Sequence, residues 1–369
     1  MAERTTALVV GGTGPTGPYI VDGLRRRGFT VTILHRGTHE IDEIPDDVEH
    51  IHADPHFRET LDPALDGRSW DVTVATYGRL RHVAEAMVGH TGQFVAVGGV
   101  GVYRGFFGTQ GIWPPGLALS TPEDAPLVET EQENRFQYLM VQAERAALAA
   151  HPSGSLFRYP YVFGARQLIP REWSVVRRIR DGRPFVLLPE AGLTIITHGY
   201  VENLAHAVLL AVDQPDRSAG KFFNVGDDQQ LTMAQVVAHI ARHMDSSIEI
   251  LSLPTAAAKV ARPLTPLGSD HRLFDMTLAR ESLGYRDVVP VLEGLERTVD
   301  WLMANQPEHG GDTETRLGDP FDYRAEDRLA EILRRSIDEM SAVQITEIDS
   351  PNHAYAHPKR PGEVDHHGR

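Results

Sequence analysis

The 369-residue chain contains no cysteine. That excludes disulfides, thiolate metal sites and a cysteine nucleophile. No apolar run reaches the ~18 residues of a membrane-spanning helix, so no membrane partner is expected. The opening Met1-Ala2-Glu3-Arg4-Thr5-Thr6 lacks the basic and apolar layout of a secretory leader. A cytoplasmic location is therefore expected. Positive charge is in deficit: 36 Lys and Arg stand against 51 Asp and Glu, a net charge of −15. Nucleic-acid binders rely on a basic field, so no nucleic-acid partner is expected. The triplet Arg25-Arg26-Arg27 reads as a solvated helix end, where cations suit the dipole. No His-Glu-x-x-His helix and no Gly-x-Ser-x-Gly elbow stands out. Histidines number 18, but His353 and His357, four apart, and the adjacent His366 and His367 fall in a terminal arm, and no metal site is expected.

What is present starts with Leu8-Val9-Val10-Gly11-Gly12-Thr13-Gly14-Pro15-Thr16-Gly17. It reads as an apolar strand entering a glycine turn that opens a helix. Gly11, Gly14 and Gly17 recur every third residue. One glycine permits the turn, one lets backbone N–H groups approach a pyrophosphate, and one lets helix and strand pack closely. The dipole at the helix N-terminus favours the same anion.

Strand and helix patterns then alternate. Strands are expected at Ala7 to Val10, Phe29 to Leu34, Val48 to His52, Asp71 to Ala75, Gln93 to Val97 and Ser155 to Tyr159. Helices are expected at about Gly17 to Arg27, His82 to Val88 and Asn134 to Ala150. This alternation implies crossover units and an α/β fold with a parallel sheet. A glycine- and proline-rich loop from Gly98 to Pro126 has the length of a lid or binding loop. Later, Leu231 to Met244 reads as a helix with Thr232 as N-cap, and Ser247 to Leu251 as a strand. Beyond Gln306 the composition shifts: Gly310-Gly311-Asp312-Thr313 reads as a linker. Leu329, Ile332, Leu333, Ile337 and Met340 mark one face of a helix that should dock on the core or another subunit. The last twenty residues read as an extended arm.

These residues resemble the extended or atypical short-chain dehydrogenase/reductases of the NAD-dependent epimerase/dehydratase superfamily. The resemblance rests on the opening glycine turn, His52-Ala53-Asp54, Trp70-Asp71-Val72, Val97-Gly98-Gly99-Val100-Gly101-Val102-Tyr103 and Tyr138 with Gln142-Ala143-Glu144. Arg158-Tyr159-Pro160-Tyr161-Val162-Phe163-Gly164, Val201 to Ala205, Phe223-Asn224-Val225-Gly226 and Leu283-Gly284-Tyr285 extend it to about residues 6–303. It implies a Rossmann-type doubly wound parallel sheet with a smaller C-terminal substrate lobe. The expected division is a dinucleotide-binding domain over 1–165, to which part of the later half returns, a substrate lobe over 166–305, and a helix with an extended arm over 306–369. It also implies a small-molecule substrate and a homodimer, with the Tyr138 helix as one contact.

A nicotinamide dinucleotide is the implied cofactor. Its binding residues, by resemblance, are Gly11, Thr13, Gly14, Pro15, Thr16, Gly17, His35, Arg36, Ala53, Asp54, Thr76, Gly98, Tyr138, Gln142 and Tyr161. The second strand ends in Leu34-His35-Arg36-Gly37, with no carboxylate to meet a ribose 2′-hydroxyl. Arg36 suits a 2′-phosphate, which favours NADP(H) and leaves NAD(H) open.

Family enzymes use a tyrosine, a lysine four residues later, and a serine or threonine after the fifth strand. The lysine charge lowers the tyrosine pKa, and the tyrosine moves a proton as hydride moves. By resemblance Tyr138 is the tyrosine. The lysine position is then Gln142 and the hydroxyl position Gly99. Substitutes are sought in Tyr103, Arg104, Tyr77 and His198, with Arg158, Arg166 and Arg171 as possible anion ligands. The leading expectation is an NADP(H)-binding oxidoreductase or epimerase/dehydratase on a carbonyl/alcohol substrate. A non-catalytic dinucleotide-binding sensor is the alternative.

Overall fold

A computed structural model describes the chain except residues 1–4, 39, 109–111, 114, 258–263, 265–269, 347–357, 366 and 369. His353, His357 and His366 thus lie outside the described residues. The strands are β1 (Thr6–Val10), β2 (Thr30–His35), β3 (Glu49–His52), β4 (Trp70–Ala75), β5 (Thr91–Gly99), β6 (Ser155–Tyr159), β7 (Tyr161–Phe163), β8 (Phe185–Pro189), β9 (His198–Tyr200), β10 (Phe222–Asn224) and β11 (Glu249–Leu253). The helices are α1 (Gly17–Arg26), α2 (Arg58–Leu65), α3 (Leu80–Ala86), α4 (Arg135–Ala150), α5 (Trp173–Arg180), α6 (Val201–Asp213), α7 (Pro215–Ser218), α8 (Met233–His243), α9 (Thr277–Leu283), α10 (Val291–Ala304), α11 (Asp312–Leu317) and α12 (Tyr323–Ser341).

Seven strands form one parallel sheet in the order β10-β6-β5-β4-β1-β2-β3. Strand side chains alternate between faces, and each face finds its own helices. Ala7 and Val9 of β1 join Ile20, Val21 and Leu24 of α1 and Leu204 and Val208 of α6. Leu8 and Val10 join Leu61 of α2, Val83 of α3 and Ala147 of α4. The helices pack closely where small residues allow it: a Cβ on Gly23 of α1 would lie 2.2 Å from Leu209 of α6. The sheet reverses its winding between β1 and β4, and in open α/β sheets ligands bind beyond the strand ends at such a point.

The later half adds two short parallel pairs, β7 with β9 and β8 with β11. Trp173, Val176, Val237, Ile240, Leu295 and Val299 from α5, α8 and α10 form its core. Thr232 caps α8 as expected, in a reciprocal capping box with Gln235.

Two elements appear that the sequence does not announce, and one expected boundary moves. The α2 helix lacks a sequence signature because Pro63 lies inside it, while β8 is an unbroken buried run without alternation. Residues 1–322 form one compact unit and 323–369 a second, so the boundary falls after residue 322 rather than 305. The reason is α11, which continues the first unit. Its Glu314 accepts from Trp173 Nε1 at 2.9 Å and pairs with Arg177 at 2.7 Å, while Asp319 pairs with Arg178 at 2.6 Å. In the second unit α12 forms as expected, and Ile332, Ile337 and Met340 are exposed. Among the described residues no helix is long and apolar enough to cross a membrane.

Candidate active site

The turn after β1 has the geometry its glycines predict. Gly11 has φ +92°, and a Cβ there would lie 2.3 Å from Tyr77 Cβ. A Cβ on Gly17 would lie 2.1 Å from the Gly12 carbonyl oxygen. Only glycine fits at either position. Internal bonds from Gly14 N to Gly11 O and Gly17 N to Gly14 O hold the turn. The N–H groups of Thr13 and Thr16 have no hydrogen-bond partner among the described residues. Pro15 has none to give, and Pro18 stands in the first turn of α1. The turn is therefore a cradle with free donors at a helix N-terminus, which suits a pyrophosphate. Thr76 closes its side by donating to Val10 O at 3.0 Å.

Beyond β2 and β3 lies a second recess, of about 620 Å³, lined by Arg36, Thr38, His52, Ala53 and Asp54. Arg36 is exposed and lies 5.7 Å from the centre of the Tyr77 ring. Asp54 is turned to its own loop, accepting from His56 N and Nδ1 at 3.0 and 2.7 Å. His35 is not with Arg36. It is buried, and its Nε2 faces His50 Nδ1 at 3.1 Å. The period-two pleat explains this: His50 and His52 share one face of β3, and His35 pairs with His52 across the strands.

A third recess of about 260 Å³ opens beyond β5 and β6. Gly99, Val100 and Gly101 form one wall, Phe136 and Met140 of α4 another, and Tyr159 to Val162 the floor, with Gln167, Ile169, Phe106 and Phe107 around the mouth. Arg171 is the charged member of this lining. Its guanidinium stacks on the Tyr161 ring at 4.2 Å and faces no carboxylate within ion-pair distance among the described residues. Burial lowers the Arg171 pKa and raises that of Tyr161, whose phenol therefore stays protonated at neutral pH. His198 is the cross-strand partner of Tyr161, with ring centres 6.1 Å apart. Burial, with Arg171 beside it, pushes its pKa down to about 4, so its imidazole is neutral.

No protein-family model matches this chain. Two curated relatives are uncharacterised: YbjS of Escherichia coli is 30% identical over 32% of this chain and 41% of its own length. The protein y4nL of Sinorhizobium fredii is 27% identical over 50% of this chain and 57% of its own. This chain thus matches about half the length of these relatives. A third, the Arabidopsis thaliana 3beta-hydroxysteroid-dehydrogenase/decarboxylase isoform 2, is 30% identical over 37% of this chain and 29% of its own. Among solved structures, UDP-glucose 4-epimerase of Thermotoga maritima, with UDP-glucose, superposes with a TM-score of 0.65 at 17% identity, covering 82% of this chain and all of that one. The dTDP-glucose 4,6-dehydratase of Bacillus anthracis, in complex with NAD, gives 0.61 at 16%, over 82% and 97%. The chain has the fold of the NAD-dependent epimerase/dehydratase superfamily.

Within this epimerase/dehydratase fold, the expected catalytic residues are not brought together. Tyr138 and Gln142 are half-buried on α4 but do not line the recess. The pair four apart that does is Phe136 and Met140, displaced roughly 200° around the helix from Tyr138. A Cβ on Gly99 would touch Met140 Cε at 3.3 Å, which fixes that register. Between them Gln137 turns inward, donating to the Tyr103 carbonyl at 2.9 Å. Gly98 faces Glu144, whose Oε1 would lie 3.1 Å from a Cβ there.

Tyr103 is fully buried, donating to Asn224 Oδ1 at 2.6 Å and accepting from Arg158 at 2.9 Å, and burial pushes its pKa up to about 12. It is a packing residue. The candidate anion ligands also sort: Arg158 pairs with Glu144 at 2.9 Å, Arg166 with Glu43 and Arg104 with Glu133. Arg171 alone of these lacks a carboxylate among the described residues. Phe136, Met140 and the His35–Glu40–His50–His52 cluster went unnoticed in the sequence. Glu144, anchored by Arg158, was the signal for the α4 register, and His50-x-His52 on a strand was the signal for the cluster.

Proposed function

We propose that this protein binds NADP(H) beyond β1 and β2 and reduces the carbonyl of a small, mostly apolar substrate that carries an anionic group. The arrangement of Arg171 carries this reading. A guanidinium stacked on Tyr161, without a carboxylate of its own, in an otherwise largely apolar recess calls for an anion from outside. Nucleotide-sugar substrates fit poorly, since Val100, Phe106, Phe107, Phe136, Met140 and Ile169 offer no side-chain partners for sugar hydroxyls.

The coenzyme assignment rests on the Gly11–Gly17 cradle and on Arg36, an exposed guanidinium just after β2 whose charge suits a 2′-phosphate. A reduced nicotinamide supplies hydride. This chain's own part is to hold and protonate the other end of the carbonyl. The Tyr161 hydroxyl makes no hydrogen bond among the described residues and remains protonated, so it donates to the carbonyl oxygen and passes its proton as charge develops there. Solvent returns that proton. Among the described residues the lining holds no carboxylate or other anionic base, which favours reduction over epimerisation or dehydration.

A non-catalytic dinucleotide-binding role is the second reading, and one observation favours it: Gly99, Phe136 and Met140 carry no proton to transfer. The two separate in one experiment. Purified protein is titrated with NADPH and NADH, then assayed for NADPH oxidation with aryl- and branched-alkyl 2-keto acids. Turnover that falls in both Tyr161→Phe and Arg171→Met supports the reductase. Tight NADPH binding without turnover supports the sensor, and no binding of either coenzyme overturns both.

A further inference from the structure

At the outer edge of the main sheet, four side chains converge. His35 ends β2, His50 and His52 lie two apart on β3, and Glu40 comes from the intervening loop. The register Ile33↔His50 and His35↔His52 puts all three imidazoles on one face. His35 is buried, His50 and His52 are progressively more open, and Glu40 closes the group from outside.

Their ligand atoms lie within 4.8 Å of one another. His35 Nε2 is 3.1 Å from His50 Nδ1 and 3.7 Å from Glu40 Oε1. Glu40 Oε2 is 3.1 Å from His50 Nδ1, and Glu40 Oε1 is 3.4 Å from His52 Nε2. A tetrahedral zinc ion with bonds of about 2.0–2.1 Å has ligand–ligand edges of roughly 3.3–3.4 Å. The four contacts straddle that edge length. Imidazole with carboxylate is a zinc donor set, and in a chain without cysteine it is the kind available.

We propose that His35, His50, His52 and Glu40 bind one zinc ion in a tetrahedral site that ties the loop after β2 to the end of β3. The site is closed by four protein ligands, so its role is structural. It fastens the segment that carries Arg36 and Thr38 without touching the recess beyond β5. One contact is given up: Gly37 N–H lies 3.3 Å from His35 Nδ1, and with Nε2 on the metal that nitrogen carries a proton and no longer accepts. The contact is long, and zinc coordination outweighs it.

The test uses the full chain, freed of metal with a chelator. Zinc alone is titrated by calorimetry, and cobalt(II) is used to read geometry from its visible spectrum. The terminal arm also carries histidines, so His50→Gln/His52→Gln is compared with His353→Gln/His357→Gln. The expected result is one equivalent of tightly bound zinc and a tetrahedral cobalt spectrum in the wild type and the arm variant. In His50→Gln/His52→Gln the affinity should fall by at least roughly a hundredfold. Glu40→Gln, at an exposed position, provides a second variant that leaves the core intact and should weaken zinc binding. Thermal unfolding gives an independent readout: zinc should raise the Tm of the wild type and not that of the double variant. Zinc binding that disappears only with the arm histidines overturns the proposal, as does an octahedral cobalt spectrum or no zinc binding.

Discussion

The turn beyond β1 and the recess beyond β5 and β6 belong to the same parallel sheet and open at the same strand ends, yet they are built on different principles. The turn is backbone chemistry: Gly11 and Gly17 leave no room for a Cβ, and the donors are N–H groups. The recess is side-chain chemistry: Phe136, Met140, Tyr161 and Arg171 define it, and they come from three separate stretches of chain. A backbone cradle tolerates almost no substitution at its glycines and little change of ligand. A side-chain recess can exchange its chemistry while the strands beneath it stay in place. One fold can therefore keep a backbone turn of fixed shape while the side-chain recess beside it varies.

The largest effect should fall on the recess. Tyr161→Phe is expected to lower kcat by roughly 10²–10⁴-fold, the usual span for a lost general acid, while Tyr138→Phe should stay within about twofold. Steady-state kinetics of both variants checks this; a collapse in Tyr138→Phe with Tyr161→Phe intact would break the comparison. On the turn, Gly17→Ala forces a Cβ to 2.1 Å from the Gly12 carbonyl oxygen. The displacement should cost about 1–3 kcal/mol and weaken NADPH binding roughly tenfold to a hundredfold, measured by fluorescence titration. Arg171→Met should raise KM for an anionic substrate by a similar roughly tenfold to hundredfold, leaving NADPH affinity unchanged. If it weakens NADPH instead, the guanidinium belongs to the cradle.

A smaller effect concerns pH. Asp227 follows β10, and its Oδ1 accepts from Tyr200 N at 3.0 Å and Asn203 Nδ2 at 2.8 Å, while Oδ2 has no hydrogen-bond partner among the described residues. Burial raises its pKa to about 7. The unfolded carboxyl ionises near ~4, so Asp227 makes stability fall as pH rises from there toward 7. His198 acts with the opposite sign. Its pKa is about 4 in the folded chain, against ~6.5 unfolded, so its contribution is complete above that value and is lost as pH falls. The two slopes oppose each other over their shared window. Denaturant unfolding across the weakly acidic range should therefore show little net slope from this pair. Asp227→Asn should expose a stability that rises with pH, and His198→Gln one that falls, each on the order of 1 kcal/mol per pH unit.

Much of the fold was legible along the chain. Strands β1, β2, β4, β5 and β6 announced themselves because buried parallel strands are apolar and β-branched, and Gly11, Gly28 and Gly98 marked ends of β1, β2 and β5. The helix α2 was not legible, since Pro63 contradicts its local pattern. The α4 register was misread for a different reason. Tyr138 carries the type of side chain the chemistry needs, but type says nothing about which face of a helix meets the sheet. That face is chosen by Val141, Glu144 and Ala147, which are buried, and by the Arg158–Glu144 pair. Likewise Arg158, Arg166 and Arg171 look alike in the sequence, and only their neighbours decide which one lacks a carboxylate.

By itself the sequence determined the parallel α/β architecture, the glycine cradle and the missing carboxylate after β2. Each is written in residues close together in the chain, through backbone sterics and hydrophobic periodicity. Tertiary structure alone decided which α4 side chains face the recess, which arginine stays without an ion pair, and that His35, His50, His52 and Glu40 meet. Those outcomes depend on strand register and on burial by distant segments, and no local pattern encodes either.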